Sequence, residues 1–240
     1  MKYLYVLIVP PLLMMLSCAH VQYKHERSSL PRSSFVEIVT TVSTNSCSDE
    51  GCEVNAEKSV SSGSIIRVDL DGVYIIGANH VCEIKNQESV GIVRVIFKVM
   101  GISGKAYEAY ILTTDSENDL CAMYVPGMGG TAIELRDHPP EYGEKAYNLA
   151  SPRGTAYVPK TVPVFMGYYS GRDGRWDVYT IPAAGGSSGS PIVDVDGRLI
   201  GIIQASLRGF NHLTISSNYY KIKKMVDDIS SGKMSMRINK

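Results

Sequence analysis

Gly186-Ser187-Ser188-Gly189-Ser190-Pro191 is a run of small residues between two predicted strands, an extended run before it and an alternating run after it. Glycines allow a tight turn in which consecutive backbone N–H groups point at one spot. Such a spot can hold a developing oxyanion while a serine oxygen reaches the same carbon. The stretch therefore predicts a nucleophilic serine displayed between β-strands.

Outside this stretch, short β-branched runs alternate with turn signals, including the hairpin signals Asp71-Gly72 and Val195-Asp196-Gly197. A single helix is predicted over Tyr219–Ile229, where Ser217-Asn218 offers an N-cap. Its predicted apolar face consists of Tyr220, Ile222, Met225, Val226 and Ile229. The predicted strands cover residues 35–42, 64–70, 73–77, 90–99, 106–113, 121–125, 145–149, 161–169, 176–181, 192–194, 198–206 and 213–215. Many short strands and one terminal helix indicate a closed all-β architecture.

Composition excludes some partners. Lysine plus arginine (24) equals aspartate plus glutamate (24), so the formal net charge is zero. No block of like charge suggests a nucleic-acid surface, so no nucleic-acid partner is expected. With 44% hydrophobic residues in a 240-residue chain, a single all-β domain has ample material for a core.

The N-terminus predicts export. A basic start, Met1-Lys2-Tyr3, precedes the apolar run Leu4–Leu16, which is shorter than the roughly 20 residues that a helix needs to cross a bilayer. This pattern is typical of a secretory signal peptide. Met15-Leu16-Ser17-Cys18 resembles a bacterial lipobox, with methionine in place of the usual first leucine. A lipid anchor at Cys18 is therefore expected, the alternative being simple cleavage and release.

The predicted organisation has four parts: residues 1–18 as signal peptide, 19–34 as flexible tether, 35–230 as the folded domain and 231–240 as a tail. The tether is predicted from its polar composition. The expected location is the periplasm or cell envelope. Membrane contact is expected only through the lipid anchor.

Besides Cys18, the chain has Cys47, Cys52, Cys82 and Cys121. An even number fits an oxidising compartment, and four cysteines allow three pairings. Cys47 and Cys52 bracket a turn-like tetrad and would close a small loop. The alternative, a zinc site, lacks a second ligand pair, so no metal is expected.

A serine nucleophile needs a base, and His80 is the best-placed histidine because it ends the apolar strand Gly77-Ala78-Asn79-His80. His20 and His25 lie in the tether, His138 precedes Pro139-Pro140 in a predicted loop, and His212 follows Gly209-Phe210-Asn211. The alternative for His80 is a structural role. A rigid strand end, however, is where an imidazole can be held in place.

The predicted acid is Asp119, which opens an apolar strand and could orient the imidazole from a buried position. Asp115, in a more polar stretch, is predicted to be a loop or capping residue. The order His80, Asp119, Ser188 is one of three unrelated orders known for this geometry.

Residues 185–189 also match G-x-S-x-G, which would make Ser187 the nucleophile of an α/β-hydrolase. That motif requires a helix after the serine, followed by an acid and a histidine. Here Pro191 and a predicted hairpin follow, and only His212 remains downstream. Ser188 is therefore the predicted nucleophile.

Five motifs together resemble the chymotrypsin-like (trypsin-like) serine proteases, in particular the HtrA-type peptidases. They are Ser62-Gly63-Ser64-Ile65-Ile66, the histidine strand 74–81, Asp115-x3-Asp119-Leu120-x-Ala122, residues 186–191 and Ile215-Ser216-Ser217-Asn218. Ser187 replaces the family's usual Asn or Asp, and Ser190 replaces the family's usual glycine. No PDZ domain is expected after the helix.

This resemblance implies two six-stranded antiparallel β-barrels followed by a C-terminal α-helix. It also implies a serine endopeptidase that acts on protein or peptide substrates without a cofactor. The implied oxyanion hole consists of the Gly186 and Ser188 N–H groups. The implied substrate pocket is lined by Pro182, Gly185, Gln204, Ala205 and Ser206. The alternative function is an inactive protease-fold lipoprotein that binds peptides or serves as an envelope scaffold.

If His80 and Asp119 meet, Cys82 and Cys121, each two residues further along the chain, become neighbours. A Cys82–Cys121 disulfide beside the triad is therefore predicted.

Overall fold

The computed structural model describes residues 30–48, 51–84, 91–157 and 161–234. The predicted signal peptide, Cys18 and the tether before residue 30 lie outside the described residues and stay predictions. No helix among the described residues is long and apolar enough to cross a bilayer.

The structure confirms the predicted fold of two closed six-stranded barrels. The first barrel comprises β1 (Phe35–Ser48), β2 (Gly51–Asp69), β3 (Gly72–Ala78), β4 (Gly91–Met100), β5 (Ala106–Asp115) and β6 (Leu120–Pro126). The second comprises β7 (Lys145–Leu149), β8 (Val164–Asp173), β9 (Trp176–Tyr179), β10 (Pro191–Val193), β11 (Leu199–Leu207) and β12 (Phe210–Ser217). The strand orders are β1-β2-β3-β6-β5-β4 and β10-β11-β12-β9-β8-β7, with neighbouring strands antiparallel. Closure pairs strand edges that would otherwise be open to association.

Two helices and a 3-10 segment complete the described fold: α1 (Asn79–Cys82), α2 (Tyr219–Ser230) and residues 152–157. The Asn218 side chain caps α2 by accepting from the Tyr220 N–H at 2.9 Å. The predicted apolar face was wrong at one position, since Tyr220 is 54% exposed and Tyr219 is buried. Helical spacing favours Tyr219, which lies three residues before Ile222 and seven before Val226 on the same face, and the Tyr219 hydroxyl donates to the Arg136 carbonyl.

The β1–β2 hairpin is much longer than predicted, because the turn begins only after Ser48. Residues 51–59 of β2 are all exposed, so they lack the apolar alternation by which strands are recognised. Their strand structure comes from backbone pairing with β1, which pairs on its other edge with β4.

The core has a separate cluster in each barrel and a larger one between them that includes the apolar face of α2. Leu30 packs against the larger cluster and Ser34 is fully buried. The last residues of the predicted tether therefore pack on the domain. Met234, in the predicted tail, packs against the same cluster.

A disulfide joins Cys82 at the end of α1 to Cys121 in β6, as the sequence predicted. Both cysteines are buried. Cys47 and Cys52 face each other across the β1–β2 ladder, and Cys52 is disulfide-bonded.

Replacing both Cys82 and Cys121 by serine is expected to lower the free energy of unfolding by about 2 to 4 kcal/mol, since the bridge closes a 39-residue separation. Urea unfolding under non-reducing conditions measures this loss. Identical curves for the variant and the parent, or free thiols at these positions in a non-reduced digest, would contradict the prediction.

Candidate active site

Strand pairing brings His80 and Asp119 together. β3 and β6 are antiparallel, with Ala78 at the end of β3 opposite Leu120 at the start of β6. The next pair outward is already bonded, since the Asn79 N–H donates to the Asp119 carbonyl at 3.1 Å. His80, in the first turn of α1, therefore faces the residue that precedes β6. The sequence predicted a strand end at His80, and the structure has a one-turn helix there.

The Asp119 carboxylate holds His80 at two points. One oxygen lies 2.8 Å from the His80 Nδ1, and the other accepts the His80 backbone N–H at 2.8 Å. Asp119 has a φ of +51°, a left-handed conformation that aspartate tolerates better than most residues. A carboxylate that accepts Nδ1–H leaves Nε2 as the basic nitrogen of the imidazole. The His80 side chain is 48% exposed and can be reached from solvent.

The loop before Asp119 is closed by Asp115, whose two carboxylate oxygens accept from the Asn118 N–H (3.0 Å) and side-chain amide (2.8 Å). These bonds agree with the loop or capping role that the sequence predicted for Asp115. The described histidines away from this loop, His138 and His212, are exposed.

Ser188 lies in the loop between β9 and β10, where this loop contacts the first barrel. The Ser62 N–H donates to the Ser188 carbonyl at 2.8 Å. Gly189 (φ +83°) fits so closely that a Cβ there would collide with the Ser62 carbonyl and lie 3.1 Å from the Gly77 Cα. Ser188 is thus held beside the end of β3, the strand that leads into His80.

The Ser188 hydroxyl donates to the Gln204 carbonyl at 3.4 Å. No hydrogen bond joins Ser188 to the His80 ring within the described part of the chain. Catalytic hydrogen bonds are often long or misaligned before substrate binds. The structure therefore brings His80 and Asp119 into direct contact and places Ser188 on the adjoining surface of the second barrel.

The turn before Ser188 has a fixed backbone. The Gly185 carbonyl accepts from the Arg153 N–H at 2.6 Å, and the Gly186 carbonyl accepts from the Ser62 hydroxyl at 2.8 Å. Gly186 has a φ of +97°, and a Cβ there would lie 2.8 Å from the Arg153 nitrogen. Among the described residues, no acceptor takes the Gly186 N–H or the Ser188 N–H. Both donors are therefore available to a bound oxyanion.

Three polar residues behind this turn were not predicted as parts of the site: Ser62, Ser151 and Glu37. The Ser62 hydroxyl also accepts the Ser151 N–H at 3.1 Å, and the Ser151 hydroxyl donates to the Glu37 carboxylate. Burial raises the pKa of the Glu37 carboxyl. The available sequence signal was an acidic residue within the apolar run 35–39.

The two departures from the family motif are accommodated by hydrogen bonds. The buried Ser190 hydroxyl accepts from the Asn148 side-chain amide at 2.7 Å. The Ser187 hydroxyl accepts from the Ala184 N–H at 3.3 Å. Neither serine therefore adds an unsatisfied group to the turn.

The predicted pocket residues have unequal access. Gly185 and Ala205 are exposed, whereas Pro182 and Ser206 are half-buried. The Gln204 side chain is 3% exposed and donates to the Ser217 hydroxyl at 2.6 Å, which in turn donates to the Asn118 carbonyl at 2.6 Å. The Gln204 side chain therefore holds the loop before Asp119 in place, so only the Gln204 backbone can bind a ligand.

No cluster of three or more His, Cys, Asp or Glu residues suited to a metal ion occurs within residues 30–48, 51–84, 91–157 and 161–234.

A comparison with known protein families identifies the family of this chain. Residues 61–202 match the family of trypsin-like peptidase domains. The chain belongs to this family. The match runs from the strand that contains Ser62 to β11, so it includes His80, Asp119 and Ser188.

Solved structures show the same chymotrypsin-like fold. The serine endoprotease from Yersinia pestis superposes with a TM-score of 0.63 at 18% identity, covering 87% of this chain and 67% of that chain. The Rv3671c protease from M. tuberculosis in its active form also gives a TM-score of 0.63, at 15% identity, covering 87% of this chain and 85% of that chain. No curated protein matches the chain significantly.

The hydrogen bonds around Ser190 predict which of two substitutions destabilises the protein more. Ser190→Gly should lower the free energy of unfolding by about 1 to 2 kcal/mol, because one hydrogen bond is lost and the unfolded chain gains freedom. Asn148→Leu should cost more, because the Asn148 amide also donates to the Pro191 carbonyl at 2.8 Å and both acceptors lose their donor. Chemical denaturation of the two variants measures this order, and the reverse order would refute this account of the turn.

Proposed function

We propose that this peptidase-family protein is a serine endopeptidase with His80, Asp119 and Ser188 as its catalytic triad. The two-point hold of Asp119 on His80 carries the proposal, because a carboxylate that fixes both the ring and the backbone of one histidine prepares a general base. The Ser188 loop, with two available N–H donors, lies against β3, the strand that leads into this histidine.

In the proposed reaction, Ser188 Oγ attacks the carbonyl carbon of a peptide bond and its proton passes to His80 Nε2. The N–H groups of Gly186 and Ser188 bind the oxyanion. As the tetrahedral intermediate collapses, His80 gives the proton to the leaving amine. Water, deprotonated by the same imidazole, then hydrolyses the acyl-enzyme and restores Ser188. Asp119 stabilises the imidazolium that forms in each half-reaction.

A second candidate function is peptide binding without cleavage. It is favoured by one observation, the hydrogen bond from the Ser188 hydroxyl to the Gln204 carbonyl in place of one to His80. In that case the surface around Ser188 would hold an extended peptide while the Ser188 hydroxyl stays out of reach of its base.

A fluorophosphonate probe separates the two functions, since it reacts only with an activated serine. We expect labelling at Ser188 that is lost in Ser188→Ala and His80→Ala but kept in Ser187→Ala. Hydrolysis of a fluorescent protein substrate by Ser188→Ala should fall by about 10⁴-fold or more. A folded parent protein that is not labelled, yet binds peptides, would establish the binding function instead.

Peptide substrates with a small or medium apolar side chain before the cleaved bond are proposed for this site. Pro182 stands six residues before Ser188, where trypsin-like enzymes that select lysine or arginine have an aspartate. Gly185 and Ala205 add no charge. The disulfide between Cys82 and Cys121 supports an oxidising compartment outside the cytoplasm as the place of action.

Profiling cleavage of a peptide library tests this preference. The parent should cleave mainly after small or medium apolar residues, and Pro182→Asp should shift cleavage towards lysine and arginine by supplying a negative charge. A parent profile dominated by basic residues would contradict the proposed pocket.

A further inference from the structure

Glu37 is a buried carboxyl for which the proposed reaction has no use. It lies in β1, a strand that contributes none of the predicted catalytic residues, and it is 2% exposed. One of its oxygens accepts from the Ser151 hydroxyl. The other is buried and has no hydrogen-bond partner among the described residues. A carboxyl held in this way is costly for folding, so its position needs an explanation.

The explanation lies in the segment that Ser151 begins. This segment curls back on itself through two residues of positive φ, Arg153 (+54°) and Gly154 (+72°). Its curled backbone presents the Arg153 N–H to the Gly185 carbonyl at 2.6 Å. In a trans peptide the C=O and N–H groups point in opposite directions. Holding the Gly185 carbonyl therefore aims the Gly186 N–H away from this segment.

A second path runs from Ser151 to the next carbonyl of the turn. The Ser151 N–H donates to the Ser62 hydroxyl (3.1 Å), which donates to the Gly186 carbonyl (2.8 Å). The two peptides on either side of Gly186 are thus both fixed from the side where Ser151 lies. Glu37 fixes the Ser151 side chain from the first barrel.

We propose that Glu37 is a positioning residue for the oxyanion hole, acting through Ser151 on the Gly185–Gly186 peptide. Its catalytic consequence rests on the proposed peptidase function. Glu37 touches no substrate. It anchors the curled segment that fixes the direction of the Gly186 N–H, the donor expected to bind the negative oxygen of the transition state.

A purely structural role for Glu37 makes a different prediction. A general weakening of the first barrel would lower stability without a specific effect on the Gly185–Gly186 peptide. Thr40 offers a matched control, because it is buried in the same strand and its hydroxyl also has no partner in the described part of the chain. Thr40→Val keeps the shape of that side chain and removes only its polar group.

The experiment compares Glu37→Met, Ser151→Ala and Glu37→Gln with Thr40→Val and the parent in the full chain. Glu37→Met and Ser151→Ala should lower kcat by about 10- to 100-fold, less than or comparable to the loss of an oxyanion-hole donor, while KM changes by no more than about threefold. Glu37→Gln can still accept from Ser151 and should stay within about threefold of the parent kcat, as should Thr40→Val. The double variant Glu37→Met/Ser151→Ala should have the same kcat as the less active of the two single variants, because both residues act through one contact.

Amide hydrogen exchange of folded protein supplies a readout that does not depend on activity. The Ser151 and Arg153 amides should exchange faster in Glu37→Met and Ser151→Ala than in the parent, and at the parent rate in Thr40→Val. If the parent shows neither hydrolysis nor probe labelling, the proposed function fails, and exchange still decides the role of Glu37. Unchanged exchange in both Glu37→Met and Ser151→Ala would overturn the inference. If Glu37→Met does not fold, Ser151→Ala alone gives the answer.

Discussion

The contact of Ser62 with the Ser188 loop joins the two halves of the proposed site. His80 and Asp119 belong to the first barrel, whereas Gly186 and Ser188 belong to the second. Ser62 is fully buried, and its backbone and hydroxyl donate to the carbonyls of Ser188 and Gly186. Losing a buried hydrogen-bond partner costs about 1 to 3 kcal/mol. The barrels therefore have one favoured way to dock, and the proposed catalytic geometry depends on it.

Helix α2, which follows the last strand of the second barrel, also holds the two barrels together. The buried carboxylate of Asp177 in β9 accepts the Tyr219 N–H at 2.8 Å and so fixes the start of α2 to the second barrel. At its other end, Arg67 of β2 donates to the Ile229 carbonyl at 2.8 Å. A cation at a helix C-terminus is favourable both for the unpaired carbonyls and for the helix dipole. The apolar face of α2 closes the cluster between the barrels, so the helix ties the two barrels together.

Features that are determined by residues close together in the chain could be predicted from the sequence. The Ser188 turn, the strand before His80, the Asp115 cap and most strands follow from glycine, alternation and turn chemistry. The long polar hairpin could not be predicted, because backbone pairing shapes it and side-chain burial does not. The set of Glu37, Ser62 and Ser151 could not be predicted for another reason. Each of its bonds joins residues 89 to 124 positions apart, and such contacts exist only once both barrels are docked.

Several buried polar atoms without partners belong to residues around the proposed site. Among the described residues they include side-chain oxygens of Glu37, Asn79, Asn148 and Gln204. Each of these residues also makes a hydrogen bond that holds part of the site: Glu37 to Ser151, Asn79 to Asp119, Asn148 to Ser190, and Gln204 to the serine that binds the Asn118 carbonyl. An apolar side chain at Glu37 or Gln204 would remove the unsatisfied atom and release the group that the residue holds. Local stability and a preorganised site are therefore in conflict at these positions, as is common where structure serves function.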